Sequence, residues 1–236
     1  MQRKTSSHND PHQWSGIKVQ NHARTEAEIL KEVGITYKNN IHLLLDKLTS
    51  VEGDIIELGV YRGNNSVIIG SFLRKTSSNK KYIGFDTFCG YTEEDIEAAR
   101  DPSGLIENQN SKRWVVPAQE VKDHIQEKNL SGYCKIIEGD IKETVPSYLK
   151  NRKEDYKISV VYLDCNAYLP AITALRSCKK YLSNNAMIVV DEHVVGGETR
   201  ALKEFSEENN VDIYETSLGT VRGRSIGPPL YGIYHE

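Results

Sequence analysis

The chain lacks the features that mark three large classes of protein. Its four cysteines, Cys89, Cys134, Cys165 and Cys178, form no Cys-x-x-Cys pair, so the spacing of a zinc site is absent. No apolar run approaches the roughly 18 residues that a membrane-spanning helix needs. Lysine and arginine do not exceed aspartate and glutamate (30 against 33, net charge −3), which argues against a basic surface that binds nucleic acid.

Targeting signals are also scarce. The first residues, M-Q-R-K-T-S-S, are polar and lack the apolar stretch of a secretory signal peptide. The cysteine spacing fits reduced thiols, which are usual in the cytosol. We therefore expect a cytoplasmic protein with no membrane and no nucleic-acid partner.

The length of 236 residues suits one α/β domain. Residues 1–24 are polar and predict a mobile tail. A helical period over 25–50 predicts N-terminal helices at the start of a single domain that runs over 25–236. Residues 87–116 follow a strand, carry many charges and have weak periodicity, which favours a lid-like insertion over a plain surface loop.

The rest of the chain alternates short apolar runs with helical patterns. The predicted strands cover 55–58, 82–85, 133–137, 158–163, 186–190, 211–216 and 230–235, and the predicted helices cover 66–74, 118–128, 142–151, 169–182 and 198–208. Pro117 and Pro146 suit helix starts or first turns. This order predicts a doubly wound, mostly parallel seven-stranded α/β sheet, Rossmann-like, with an antiparallel last strand.

A glycine-containing loop follows the first predicted strand and is the first candidate binding site. It reads E-L-G-V-Y-R-G-N-N-S over 57–66. Neither the G-x-x-x-x-G-K-[ST] loop nor the dinucleotide pattern G-x-G-x-x-G occurs, so a phosphate is not the expected ligand. S-adenosylmethionine has no phosphate and carries a sulfonium and an amino group that suit a nearby carboxylate. The alternative is a plain turn between strand and helix. The candidate cofactor residues here are Glu57, Gly59, Tyr61, Arg62, Gly63, Asn65 and Ser66.

The next two strand ends supply further candidates for the cofactor. Asp86 ends the second strand and would accept hydrogen bonds from ribose hydroxyls, with Thr87 beside it; a solvated aspartate is the alternative. Gly139 and Asp140 follow the third strand, in a position to contact the adenine or to serve only as a turn.

Acidic residues close the fourth and fifth strands. Asp164, Asp191 and Glu192 would converge, because carboxyl ends of neighbouring parallel strands meet at one edge, and three oxygen ligands suit Mg²⁺. Asp164 would also lie close to the cofactor. His193, with Asp191, is the candidate for removing a proton from an acceptor hydroxyl. Alternatives remain open: Asp164 as a helix cap, Glu192 as a solvated side chain and His193 as a structural residue.

The motifs resemble the macrocin O-methyltransferase (TylF-type) family. The family loop, G-D-[LV]-[IV]-E-T-G-V-[WY]-R-G-G, is matched by G-D-I-I-E-L-G-V-Y-R-G-N over 53–64. The family's D-S-F-x-G is matched by D-T-F-C-G over 86–90, and its E/K-G-x-x-x-[DE]-T-[LV]-P by E-G-D-I-K-E-T-V-P over 138–146. The resemblance covers about 36–236.

This resemblance implies a class I, Mg²⁺-dependent O-methyltransferase that forms a homodimer and methylates sugar hydroxyls. The family's metal residues, in L-D-x-D-x-Y and V-D-D, map to Asp164, Asp191 and Glu192. Two positions depart from the pattern: Asn166 replaces the second Asp of D-x-D, and Glu192 replaces the second Asp of D-D.

The sequence therefore predicts transfer of a methyl group from S-adenosylmethionine to a hydroxyl of a sugar or polyol-like natural product, assisted by Mg²⁺. The acceptor is expected to be a small hydroxylated molecule. The alternatives are a catalytically silent nucleoside-binding homologue and a methyltransferase that needs no metal.

Overall fold

The computed structural model describes residues 49–98, 115–191, 196–215, 220–221, 224–225 and 230–236. The predicted tail over 1–24 lies outside the described residues, as do most of the predicted N-terminal helices and the middle of the predicted insertion. Among the described residues no helix is long and apolar enough to cross a membrane.

Strands and helices alternate along most of the described chain. The strands are β1 (Asp54–Leu58), β2 (Tyr82–Asp86), β3 (Cys134–Glu138), β4 (Ile158–Leu163), β5 (Leu182–Val190), β6 (Val211–Glu215), β7 (Thr220–Val221), β8 (Arg224–Ser225) and β9 (Leu230–Tyr234). The helices are α1 (Asn64–Lys75), α2 (Glu93–Ala98), α3 (Ala118–Glu127), α4 (Ile141–Lys150), α5 (Tyr168–Cys178) and α6 (Gly196–Glu208), with a 3₁₀ turn over Lys179–Tyr181.

Seven strands form one sheet in the order β3-β2-β1-β4-β5-β9-β6. The pairs among β1 to β5 are parallel, whereas β9 runs antiparallel to both β5 and β6. The predicted fold is therefore confirmed, including the antiparallel last strand. The order reverses between β1 and β4, which is where open α/β sheets bind their ligands.

Side chains on successive residues of the central strands enter two different cores. Ile55 and Val160 pack on one face with Ile69 and Phe72 of α1. Ile56 and Val161 pack on the other face, against α4, α5 and α6. Because both faces are covered, the central strands are apolar throughout, as parallel strands usually are.

Three of the departures from the predicted elements concern β5, the helix before it and Pro146. β5 begins at Leu182 rather than at the predicted Ala186. Its first half was missed because the exposed polar pair Asn184 and Asn185 interrupts the apolar pattern. The preceding helix correspondingly ends at Cys178. Pro146 lies inside α4 rather than in its first turn, so one backbone hydrogen bond of that helix is missing.

Candidate active site

The carboxyl ends of β1, β2, β4 and β5 surround one cavity. Backbone hydrogen bonds tie these ends together: Gly59 donates to the carbonyl of Phe85 (2.8 Å), and Asp164 donates to that of Leu58 (2.8 Å). The cavity has a volume of about 310 Å³. Its walls are formed by Gly59, Tyr61, Asp86, Thr87, Gly90, Tyr91, Asp95, Asp140, Ile141, Asp164, Cys165, Asn166, Pro170 and Asp191.

The glycine loop needs both of its glycines for their backbone conformation. Gly59 has φ +90°, and a β-carbon there would overlap the carbonyl oxygen of Asp164. Gly63 has φ +75° and caps the N-terminus of α1. Tyr61 also adopts a positive φ of 49°, which is uncommon outside glycine and asparagine. The loop thus brings its backbone against β4 and turns directly into α1.

The Asp86 carboxylate holds this loop in place. Its Oδ2 accepts the backbone amides of Val60 (2.7 Å) and Tyr61 (2.8 Å), and its Oδ1 accepts that of Phe88 (2.7 Å). Asp86 therefore connects the end of β2 to the glycine loop while also lining the cavity.

Glu57 lies beneath the loop, fully buried, and does not line the cavity. Its carboxylate accepts hydrogen bonds from Asn65 Nδ2 (2.6 Å) and from the Tyr82 hydroxyl, which in turn accepts from Ser66 Oγ (3.0 Å). Burial raises the pKa of Glu57 well above its usual range, the Asn65 hydrogen bond opposes this, and the charges of Asp191 and Asp86 add to the rise.

Other predicted cofactor residues lie around the loop rather than on the cavity wall. Arg62 is exposed, with its guanidinium 5.2 Å from the centre of the Tyr61 ring. Asn65 and Ser66 belong to the buried network of Glu57. Gly139 has φ +135° and donates its amide to the carbonyl of Asp86 (2.9 Å).

Asp140 caps the helix that follows β3. Its Oδ1 accepts the backbone amide of Lys142 (2.9 Å) at the first turn of α4. An aspartate in this position satisfies one of the amides that a helix N-terminus leaves unpaired. Asp140 also lines the cavity, so its position is compatible both with contact to the adenine and with a purely structural function in the turn.

Asp164 and Asp191 follow adjacent strands, and both line the cavity. The Tyr162 hydroxyl donates a hydrogen bond to Asp191 Oδ1. Burial raises the pKa of Asp191, and this hydrogen bond partly opposes the rise. Glu192 and His193 lie outside the described residues, so the proximity of a third carboxylate and of the candidate base stays a prediction.

The described residues of this wall supply part of a site for a hard cation. Asp164 and Asp191 supply two carboxylates on neighbouring strand ends, which is the kind of ligand that Mg²⁺ prefers. Within the described part of the chain, no group of three His, Cys, Asp or Glu side chains is placed to hold a metal ion. A complete site would need Glu192 or groups from substrate and water.

The beginning of the predicted insertion forms part of the cavity wall. Gly90, Tyr91 and Asp95 line the cavity, and none of them is among the predicted site residues. A signal was present in T-E-E-D over 92–95, a capping box: Asp95 N donates to Thr92 Oγ1, and Thr92 N donates to Asp95 Oδ2 (both 3.2 Å). Ile141, Cys165 and Pro170 also line the cavity and were not predicted.

Comparison with known proteins agrees with this architecture. The sequence profile of the family described as macrocin-O-methyltransferase (TylF) matches residues 23–218. The chain belongs to the macrocin-O-methyltransferase family. The resemblance inferred from the motifs is thereby confirmed.

Among related members, 8-demethyl-8-(2,3-dimethoxy-alpha-L-rhamnosyl)-tetracenomycin-C 4'-O-methyltransferase of Streptomyces olivaceus is 21% identical over 177 residues. The match spans 73% of this chain and 66% of that enzyme, slightly less than two thirds of its length.

Two solved structures share the fold of this member of the macrocin-O-methyltransferase family. The O-methyltransferase NovP superposes with a TM-score of 0.67 at 18% identity, covering 88% of this chain and 81% of NovP. The calicheamicin methyltransferase CalS11 superposes with a TM-score of 0.59 at 20% identity, covering 92% of this chain and 95% of CalS11. At these identities the likeness establishes the fold, which is that of class I methyltransferases.

Proposed function

We propose that this protein transfers a methyl group from S-adenosylmethionine to a hydroxyl of a small sugar or polyol-like acceptor, with a divalent cation assisting. The observation that carries the proposal is the cavity at the switch in strand order, where a glycine loop meets aspartates from four strand ends or turns. Membership of an O-methyltransferase family and a relative that methylates a sugar-linked natural product support it.

The charge of the cavity suits this methyl donor. Five aspartates line it: Asp86, Asp95, Asp140, Asp164 and Asp191. Lys142 pairs with two of them, Asp95 and Asp140. The sulfonium and the amino group of S-adenosylmethionine are both positive, so anionic walls would favour their binding. A nucleotide with a pyrophosphate would instead meet repulsion in the same place.

The predicted cofactor residues divide into two groups under this proposal. Gly59, Tyr61, Asp86, Thr87 and Asp140 surround the part next to the glycine loop and would bind the cofactor. Asp164, directly after β4, would contact both the cofactor and the cation. Glu57, Arg62, Gly63, Asn65, Ser66 and Gly139 would act by shaping the loop and its neighbouring turn.

A cation would be held by Asp164 and Asp191, together with Glu192 from outside the described residues. When bound, such an ion lowers the pKa of a coordinated hydroxyl and orients its oxygen. Asp191 is positioned by Tyr162, and His193 or Asp191 would accept the proton that the acceptor hydroxyl loses. These assignments apply to the acceptor end of the cavity, next to Cys165 and Asn166.

Titration with S-adenosylhomocysteine by isothermal calorimetry tests the cofactor assignment. We expect saturable 1:1 binding per chain, and absence of binding at millimolar ligand would exclude the proposed function. Binding without turnover across a panel of hydroxylated acceptors would favour the alternative of a catalytically silent homologue. The observation that supports this alternative is Asn166, which replaces an aspartate of the family pattern.

A further inference from the structure

Lys142 connects two sides of the cavity. It lies at the start of α4, and its Nζ is 2.8 Å from Asp95 Oδ1 and 3.1 Å from Asp140 Oδ2. The same ammonium lies 3.3 Å from Thr92 Oγ1 and 3.6 Å from Glu94 Oε2. One side chain therefore binds both the turn after β3 and the segment 90–98, which contains α2.

The Lys142–Asp95 pair is shielded from water. Their side chains are 14% and 5% exposed, respectively. Burial alone would lower the pKa of Lys142, but hydrogen bonds to Asp95 and Asp140 outweigh it and raise the pKa above its ordinary value. A partly buried pair of this kind is costly to break, because removing one member leaves the other charge uncompensated.

A second contact connects the same segment to another loop. The Tyr91 hydroxyl forms a hydrogen bond with the side chain of Asn166, in the loop between β4 and α5. The backbone amide of Asn166 donates to Glu198 Oε1 (2.7 Å), so the loop is itself fixed to α6. Segment 90–98 is thus tied to the β3–α4 turn through Lys142 and to the β4–α5 loop through Tyr91.

We propose that Lys142 is a positioning residue that holds segment 90–98 against the cofactor side of the cavity and thereby sets the affinity for the methyl donor. Two cavity residues, Asp95 and Asp140, depend on the same ammonium for their placement. Losing it would release α2 from the wall and leave two neighbouring carboxylates uncompensated. This inference rests on the proposed function, since it assumes that the cavity binds S-adenosylmethionine.

The test compares Lys142→Met with Lys142→Arg and Lys122→Met, using calorimetric titration with S-adenosylhomocysteine. Lys122 forms an ion pair with Glu138 (3.5 Å) in which the two side chains are 40% and 55% exposed, so Lys122→Met removes the same charge without breaking the contacts of Lys142 with Asp95 and Asp140. We expect the dissociation constant to rise at least about tenfold in Lys142→Met, or about 1.4 kcal/mol. It should stay within about threefold of the original value, or about 0.7 kcal/mol, in the other two variants.

Hydrogen exchange gives a readout that a general loss of stability would not produce. In Lys142→Met the amides of Asp95 and Ile96 should exchange faster, while those of β1 and β4 keep their protection. If Lys142→Met does not fold, Asp95→Asn, which removes the other charge of the pair, is expected to weaken binding in the same way.

The possible outcomes separate the two proposals. If the unmodified protein does not bind S-adenosylhomocysteine, the proposed function fails. If the unmodified protein binds S-adenosylhomocysteine, and Lys142→Met (or Asp95→Asn in its place) binds it equally well, only the positioning function of Lys142 is refuted. Equal weakening in Lys122→Met would also refute it, because the effect would then come from net charge alone.

Discussion

Glycines in and near the cofactor loop are constrained by backbone geometry. Gly59 combines a positive φ with a position where a β-carbon would overlap the Asp164 carbonyl. Gly90, at φ +89°, has a similar backbone conformation with nothing within 4 Å of its potential β-carbon. These two glycines allow the conformational cost of a side chain to be separated from the cost of overlap.

We expect Gly59→Ala to lower the free energy of unfolding by more than about 3 kcal/mol, because overlap adds to a backbone cost of about 1–3 kcal/mol. Gly90→Ala should show the backbone cost alone, about 1–3 kcal/mol. Urea unfolding followed by circular dichroism measures both. Similar losses in the two variants would contradict the importance of the close approach between β1 and β4.

Glu57 gives the protein a pH-dependent stability. Its ordinary pKa of 4.5 is raised in the folded state by burial. Below 4.5 the side chain is protonated in both states, and its neutral form is accommodated. As the pH rises above 4.5, the unfolded chain releases the proton first, so stability falls by up to about 1.4 kcal/mol per pH unit until the folded-state pKa is passed.

Glu57→Gln removes this dependence while keeping a neutral group of the same shape. We therefore expect the variant to gain stability relative to the original protein as the pH is raised from 4.5 to 8, with little difference near pH 4.5. Chemical unfolding at several pH values measures the gain. Parallel stability profiles for the two proteins would show that Glu57 does not titrate as its burial requires.

Glu57 was predicted to bind the cofactor, and the alternation of side chains along β1 explains why it lies beneath the loop instead of on the cavity wall. Residues two apart in a strand share a face, so Glu57 lies on the same face as Ile55, towards α1. The motif placed Glu57 next to this loop. It did not reveal that Asn65, Ser66 and Tyr82 satisfy Glu57 internally.

At the scale of elements, the hydrophobic pattern was sufficient for the central sheet and insufficient for the wall of the cavity. The strands from β1 to β4 were predicted to within one residue at each end, since their apolar runs are bounded by polar turns. α2 has only six residues and few apolar ones. Its position depends on Lys142, which is 47 residues from Asp95 along the chain, and no local pattern reports such a contact.

The arrangement of strand ends was predictable for a different reason. Parallel strands bring their carboxyl ends to one edge, so acids that follow them in sequence meet in space. Asp86, Asp140, Asp164 and Asp191 follow this rule and line one cavity. Asp95 does not follow a strand, and it reaches the same cavity from α2.

At the scale of the whole molecule, charge is distributed unevenly. The net charge is only −3, yet five aspartates line a single cavity. A homodimer, which the family resemblance implies, remains our expectation for the assembly. Within the described residues, β6 forms an edge of the sheet next to β9, and sedimentation equilibrium would establish whether two copies associate.

Metal binding is the prediction that concerns the acidic cavity as a whole. After treatment with EDTA, the protein should bind Mg²⁺ in a calorimetric titration, and turnover should be abolished until Mg²⁺ is restored, because carboxylates from two strand ends supply hard oxygen ligands. Asp191→Asn should abolish the Mg²⁺ binding. Asp212→Asn is the control, because Asp212 is an exposed carboxylate that lies outside the cavity and contacts His235 (3.1 Å), and it should leave Mg²⁺ binding nearly unchanged. Full turnover in EDTA would remove the metal from the mechanism and favour the metal-independent alternative, in which the protein residues alone orient the hydroxyl and accept its proton.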